Sequence, residues 1–263
     1  YLDPARSVLP GLSTDTHLSS GVPGTVDGML SIHSKYGILP FRDVIQPAAD
    51  LARNGFPITG GQAEDLNSFR DNFISRNRSL PVFVKNDPWK TGDTLRQPEL
   101  AETLERIRDY GREGFYSGKT AGLIASEMSL GNGIIDLKDL SEYRSVFRVP
   151  LEDFYRGYKI ITAAPPSGGG IILLQILGMI EPLDHKNMGF HSLESIHLLV
   201  EAEKRAYADR AEYLGDPDFM KTNLPYLLLN SPDRWQRLRQ LGADLDPCVG
   251  GALADHAQHG IDR

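Results

Sequence analysis

Glu203 and Arg210 stand where a helix normally keeps its apolar residues. With 3.6 residues per turn, a line starting at Ile196 passes Leu199 and Val200, continues to Ala206 and Tyr207, and ends at Tyr213 and Leu214. Both ionisable residues fall on that line. A solvated helix puts its charges on the far side, so this pair needs either partners outside the helix or a snorkelling route to water. Glu203 and Arg210 lie two turns apart and do not reach one another. Glu201 and Arg205, and Arg205 and Asp209, are each four apart and are expected to pair on the exposed side.

Three other constellations carry possible chemistry. "PPSGGG", Pro165 to Gly170, sits between an extended run and an apolar run. Free backbone N–H groups at such a helix start can hold a phosphate or carboxylate, and glycine lets the anion approach. No Lys-Ser/Thr follows and the GxGxxG spacing is not met, so neither nucleotide fingerprint is present. Glycines that permit a tight turn and close helix packing are the preferred reading. In "GDPDF", Asp216 and Asp218 flank Pro217. An Asp-x-Asp pair can bind a divalent cation, but a turn with Pro stopping a helix is preferred, since no third carboxylate lies nearby at metal spacing. Of seven histidines, His191 and His197 are six apart, a spacing that puts them on different helix faces. They are read as surface or packing residues. GxSxG and HExxH motifs are absent, and no cysteine lies near a plausible His base.

The elements that would position these residues are mostly helical. "GTVDGMLSIHSKYG" places Val26, Met29, Leu30 and His33 on one face and stops at Gly37. "QPAADLARNGFP" suggests a helix opening at Pro47, with Gly55 as its C′ residue and Pro57 beyond. "QPELAETLERIRDYG" starts at Pro98, turns Leu100, Leu104 and Ile107 inward, and stops at Gly111. "SGKTAGLIASEMSLGNG" ends at Gly131 and a turn at Asn132-Gly133. The β-branched and aromatic stretch "SVFRVPLEDFYRGYKIITAAPP" predicts two short strands turning at Gly157. A helix from about Ile171 to Ile180 and the long charged helix follow. The sum is an α+β chain dominated by helix, read as a single domain over residues 1–263 with irregular ends at 1–18 and 241–263.

Composition narrows the function classes. With 263 residues, 40% hydrophobic and 24% charged, the chain is long enough for a full core. Its net charge of −7 and the lack of a Lys/Arg run argue against a nucleic-acid surface. The longest apolar run, "IILLQILGMI", is broken by Gln175 and is too short to cross a bilayer. Cys248 is the only cysteine, which excludes an intrachain disulfide and a Cys-based zinc site. The chain opens at Tyr1 without a Met or signal region, as a processed product or fragment would.

Read in order, "SGVPGTVDGM", "KYGILPFRDVIQPAADLARNGFPI", "GDTLRQPELAETLERI", "GFYSGK", "DFYRGYKI", "PPSGGG" and "EAEKRAYADRAEYLGDPDF" resemble consecutive blocks of the large subunit of a bacterial γ-glutamyltransferase, from about Ser19 to Phe219. The resemblance implies the helix-rich large-subunit portion of an N-terminal-nucleophile hydrolase, a four-layer αββα fold made by autocatalytic cleavage of one zymogen. It also implies a small-subunit partner whose N-terminal threonine attacks a γ-glutamyl amide such as glutathione, with its own amine as base. The group then passes to water, amino acids or peptides, with no metal or organic cofactor. The family's Thr-Thr-His block and its carboxylate-gripping Arg-Glu block have no counterpart between Tyr1 and Arg263. No catalytic or substrate-binding residue is therefore carried over, and the isolated chain is expected to be inactive. At Gly168 the family more often has a second serine, so an altered acyl specificity is conceivable. The resemblance implies export to the periplasm or medium. A glutaryl- or cephalosporin-type acylase of the same family and a non-catalytic interaction domain are the alternatives.

Overall fold

The structure, a computed structural model, describes residues 6–14, 16–181 and 187–219. The chain divides into two compact units, Tyr1–Val146 and Phe147–Arg263.

In the first unit, helix α1 (Thr25–Tyr36) ends at Gly37, whose N–H caps the His33 carbonyl at 2.7 Å. The expected inward face is rotated. Met29 is exposed, Val26 is half-buried, and the buried residue is Asp27. Helix α2 (Phe41–Asn54) begins six residues before the expected start, so Pro47 lies inside it. There Pro47 removes the N–H that would have reached the Asp43 carbonyl and its ring crowds that carbonyl, a cost that the rest of the helix has to offset. Gly55 closes α2 at φ +83°, a conformation costly for residues with a Cβ. Two-residue strand β1 (Phe56–Pro57) follows, then α3 (Gly60–Ser68), closed by a Thr59/Gln62 capping box, and α4 (Arg70–Arg76). Strand β2 (Thr94–Leu95) pairs antiparallel with β1. Around this pair Ile58, Ala63, Trp89 and Leu95 form one core cluster.

Helix α5 (Pro98–Tyr110) packs on α2, burying Ala101 and Ile107, whereas Leu100, expected inside, is exposed. Short α6 (Glu113–Tyr116), then α7 (Gly118–Leu130) and α8 (Leu137–Glu142), surround a second core of Tyr116, Ala121, Ile135 and Leu140. Helix α7 stops at Gly131 and Asn132 turns at φ +57°, as the sequence suggests.

In the second unit, β3 (Leu151–Tyr155) and β4 (Tyr158–Thr162) form the expected hairpin, paired from Leu151↔Thr162 to Tyr155↔Tyr158. Arg156 and Gly157 both take positive φ, 50° and 83°, as a two-residue hairpin turn requires. Helix α9 (Gly168–Ile180) starts at the glycines, three residues before the expected Ile171. It packs on α10 (Leu193–Tyr213), the longest helix among the described residues, through a core of Ile172, Met179, Ile180, Leu198, Ala202 and Ala206. The expected tail from residue 241 lies outside the described residues. Among the described residues, strands occur only as two two-stranded sheets and helix dominates, so the chain is α+β.

Candidate functional site

The residues singled out by the sequence gather in the second unit, where α9 meets α10. Strand β4 hands the chain to Ala163–Pro166, and Ser167 becomes the N-cap of α9 without its hydroxyl making a capping bond. The three glycines that follow have different jobs. A Cβ on Gly170 would sit 2.1 Å from the Ala163 carbonyl oxygen, so Gly170 is a packing glycine that lets helix and preceding strand touch. A Cβ on Gly169 would meet nothing closer than Ser167 Oγ at 3.9 Å. A Cβ on Gly168 would lie 3.1 Å from Arg210 Nε, so Gly168 leaves room for the Arg210 side chain beside the helix start.

The expected line on α10 is split: Ala206 is buried in the core shared with α9 and Leu214 packs against Ile171, whereas Ile196, Leu199, Val200 and Tyr207 do not face α9. All four are exposed, as are Glu203 and Arg210. Packing against α9 uses the opposite side, with Leu198, Glu201, Ala202 and Ala206 buried. Hence the expected Glu201–Arg205 pair forms, but not on the solvent side. Glu201 is 9% exposed and its carboxylate accepts from Arg205 Nη1 and from Lys204 Nζ, each at 2.7 Å. Those two charged donors, Lys204 first, hold it far below the usual carboxylate range, at about 2, against the opposing effect of burial. Beside this pair, Gln175 Nε2 donates to Asp209 Oδ2 at 2.8 Å, an α9–α10 link that no spacing rule flags. The guanidinium of Arg210 and the carboxylate of Glu203 make no hydrogen bond or ion pair among the described residues.

"GDPDF" is a turn. Asp216 Oδ1 accepts from the Asp218 N–H at 3.0 Å, and Pro217–Phe219 form a 3₁₀ turn. Asp218 takes a two-bond grip from Arg148, at 2.8 and 2.5 Å, which draws its pKa down and fixes the start of β3 to this turn. His191 stacks on Phe190 outside α10 and His197 is exposed within it, so they form no pair. No group of three His, Cys, Asp or Glu side chains among the described residues could hold a metal ion. No helix among them is long and apolar enough to cross a membrane.

Sequence reading also missed a buried ion pair in the first unit. Asp27 Oδ1 accepts from Arg112 Nε at 3.0 Å and Asp27 Oδ2 from the Ser145 N–H at 2.7 Å. Arg112 also donates to the Ser141 and Tyr143 carbonyls and lies over the Tyr116 ring. The residues are 85 positions apart, so neither helix period nor motif connects them. The one available signal was an aspartate next to the apolar Val26.

Chemically, these arrangements pair charges and hold elements in place. Ser167 Oγ is bonded to no His or carboxylate base among the described residues, so the glycine-rich turn holds no activated nucleophile.

The sequence matches the family described as Gamma-glutamyltranspeptidase over residues 1–243, and the chain belongs to that family. It is 45% identical over 211 residues to a glutathione hydrolase proenzyme of Escherichia coli, covering 80% of this chain and 36% of that protein. An Acylase ACY 1 proenzyme of a Pseudomonas is 36% identical over 211 residues, covering 79% and 37%. Among solved structures, the gamma-glutamyltranspeptidase of Helicobacter pylori superposes with a TM-score of 0.84 at 40% identity, over 92% of this chain and 69% of that one. The chain thus spans well under half the length of these two curated relatives.

Proposed function

We propose that this chain is the large-subunit portion of a γ-glutamyltransferase that cleaves γ-glutamyl amides such as glutathione and passes the γ-glutamyl group to water, amino acids or peptides. The family match across residues 1–243 carries this reading. The nucleophile in this reading is the N-terminal threonine of a small subunit, released by cleavage of a common precursor, with its α-amine as the general base. That chemistry calls on no metal or organic cofactor. Both compact units belong to one large-subunit portion, and the enzyme works in the periplasm or outside the cell.

The test is the intact mass of the product of the whole reading frame, followed by assay with γ-glutamyl-p-nitroanilide. Two fragments, the second beginning with Thr, together with nitroaniline release, are the expected outcome. A single uncut polypeptide without turnover refutes the proposal and leaves the interaction-domain reading. The likeness to an acylase proenzyme supports a second reading within the family, acylase action on a glutaryl-type side chain. A cut protein that hydrolyses glutaryl amides and spares γ-glutamyl amides decides for it.

A further inference from the structure

The loop between α4 and β2 is firmly held and yet, with α4, turns apolar side chains outward. Asn67 Nδ2 donates to the Trp89 carbonyl at 2.9 Å, Asn67 Oδ1 accepts from the Trp89 N–H at 2.8 Å, and Trp89 Nε1 donates to the Phe83 carbonyl at 2.8 Å. Phe83 in turn lies against Phe73 of α4, with ring centres 5.4 Å apart. The loop is thereby clipped to the helix that precedes it. Even so, Leu80 is 68% and Phe69 53% exposed, and Ile74 and Val82 are exposed beside them. Four large apolar side chains held outward on one clipped segment mark a contact surface, where single scattered ones would not.

Charge selects what that surface touches. Arg70, Arg76, Arg78, Lys85 and Lys90 against Asp71 and Asp87 give residues 69–90 a net charge of +3 in a chain whose total is −7. Lys85 pairs with Asp93, whereas Arg70, Arg76, Arg78 and Lys90 are exposed. Arg78 also donates to the Leu130 carbonyl, so exposed Leu130 borders the same patch. Apolar groups alone would suit a protein partner, and cations alone a polyanion. Interleaved in one segment, they suit a layer with anionic heads and hydrocarbon beneath, because arginine stems run along apolar surface while their heads stay with phosphates. A single-stranded nucleic acid would need a stacking platform, and among residues 69–90 Phe69 is the only exposed aromatic.

We propose that residues 69–82 form a peripheral contact with an anionic lipid surface, in which Phe69, Ile74, Leu80 and Val82 enter the headgroup layer and Arg70, Arg76 and Arg78 meet lipid phosphates. The contact lies on the membrane without crossing it, in keeping with described helices that are too short or too polar to span one. It goes beyond the reaction given under Proposed function and does not depend on it.

The test is co-sedimentation of the whole protein with vesicles of phosphatidylcholine, with and without phosphatidylglycerol. Binding to the mixed vesicles in low salt is expected, at least tenfold weaker on phosphatidylcholine alone and at least fivefold weaker in about 0.5 M salt. Replacing Arg76 and Arg78 together by Glu should abolish it, replacing both by Lys should retain most of it, and Leu80→Ser should weaken it several-fold. A second readout does not depend on how the charge-reversed variant folds. Leu80→Trp should shift its emission to the blue on mixed vesicles and be quenched by lipid brominated along its chains. No binding of the wild type to mixed vesicles, or equal binding to both kinds, overturns the proposal. Sedimentation without a blue shift in Leu80→Trp, or unchanged binding by a folded double Glu variant, shows that another surface makes the contact and overturns it as well. A wild type that ignores vesicles but binds a fluorescent single-stranded oligonucleotide or dextran sulfate assigns the patch to polyanions instead.

Discussion

Asp27 is the most constrained carboxylate of the first unit, because burial disfavours its charge while the Ser145 N–H and the Arg112 guanidinium favour it. The second influence wins, and its pKa is drawn below the ordinary value. Removing one partner strands the other in a site that water hardly reaches. Arg112→Ala should therefore cost about 2–4 kcal/mol in denaturant melts at pH 7, less than a fully buried pair because Arg112 keeps some exposure. A carboxylate with a depressed folded pKa gives stability that is complete above its unfolded pKa and is lost as pH falls through the folded one. The wild type should lose this contribution below about pH 4, and Arg112→Ala should show a flatter acid limb. Equal acid limbs would mean that Asp27 draws nothing from Arg112. Glu201 follows the same sign over a wider window, from its ordinary value of 4.5 down to about 2. Glu201→Gln should cost on the order of 1–3 kcal/mol at pH 7, discounted because Lys204 is largely exposed, and progressively less as pH falls from about 4.5 through about 2.

Among the elements, the start of α9 separates two kinds of glycine. Gly170→Ala must push a methyl group into the Ala163 carbonyl, so strand and helix have to part. Thermal and denaturant melts should show a loss of about 2 kcal/mol or more. Gly169→Ala meets open space at φ below zero and should change stability by less than about 1 kcal/mol, in the stabilising direction, through reduced freedom of the unfolded chain. The reverse ranking would show that the turn relaxes differently from its geometry here. Element ends were legible in the sequence where one residue type enforces them, as Gly55, Gly111, Gly131 and the Arg156–Gly157 turn do. Starts were less so. Pro47 looks like a first-turn residue, but α2 extends back to Phe41 and packs on α5, tertiary contacts that a proline rule does not weigh. Faces were the least legible. The apolar line read on α10 missed the buried face, since Leu198 and Ala202 lie off it and of its members Ala206 is buried on α9 while Ile196, Leu199, Val200 and Tyr207 point away. A 3.6-residue period gives a direction, and only tertiary neighbours say which direction is inward.

At the scale of the whole molecule, the described residues expose large apolar side chains far from any single site, among them Ile38, Val149, Phe190 and Phe219. The two two-stranded sheets are also small for a stable sheet, since a lone hairpin is marginal in water. Both features fit the proposed large-subunit reading, and the site's chemistry was illegible in the sequence because, among the described residues, no activated nucleophile stands beside Ser167, Glu203 or Arg210. This makes a comparison between this chain alone and the whole protein informative. Produced alone, residues 1–263 should bind a hydrophobic dye such as ANS and self-associate with rising concentration, because uncovered apolar patches find one another. On the proposed reading the whole protein covers these surfaces, so dye binding per molecule should fall several-fold and the melting temperature should rise. Arg210→Ala provides the local version of the comparison. In the chain alone Arg210 is exposed without an ion pair among the described residues, so its loss should cost about 0–1 kcal/mol. On the proposed reading, a whole protein that buries Arg210 against a carboxylate should show a cost of about 3–5 kcal/mol, read from reversible denaturant melts of both forms. Equal costs in the two forms, with low dye binding by the chain alone, would mean that the outward face of α10 is satisfied by residues between Tyr1 and Arg263.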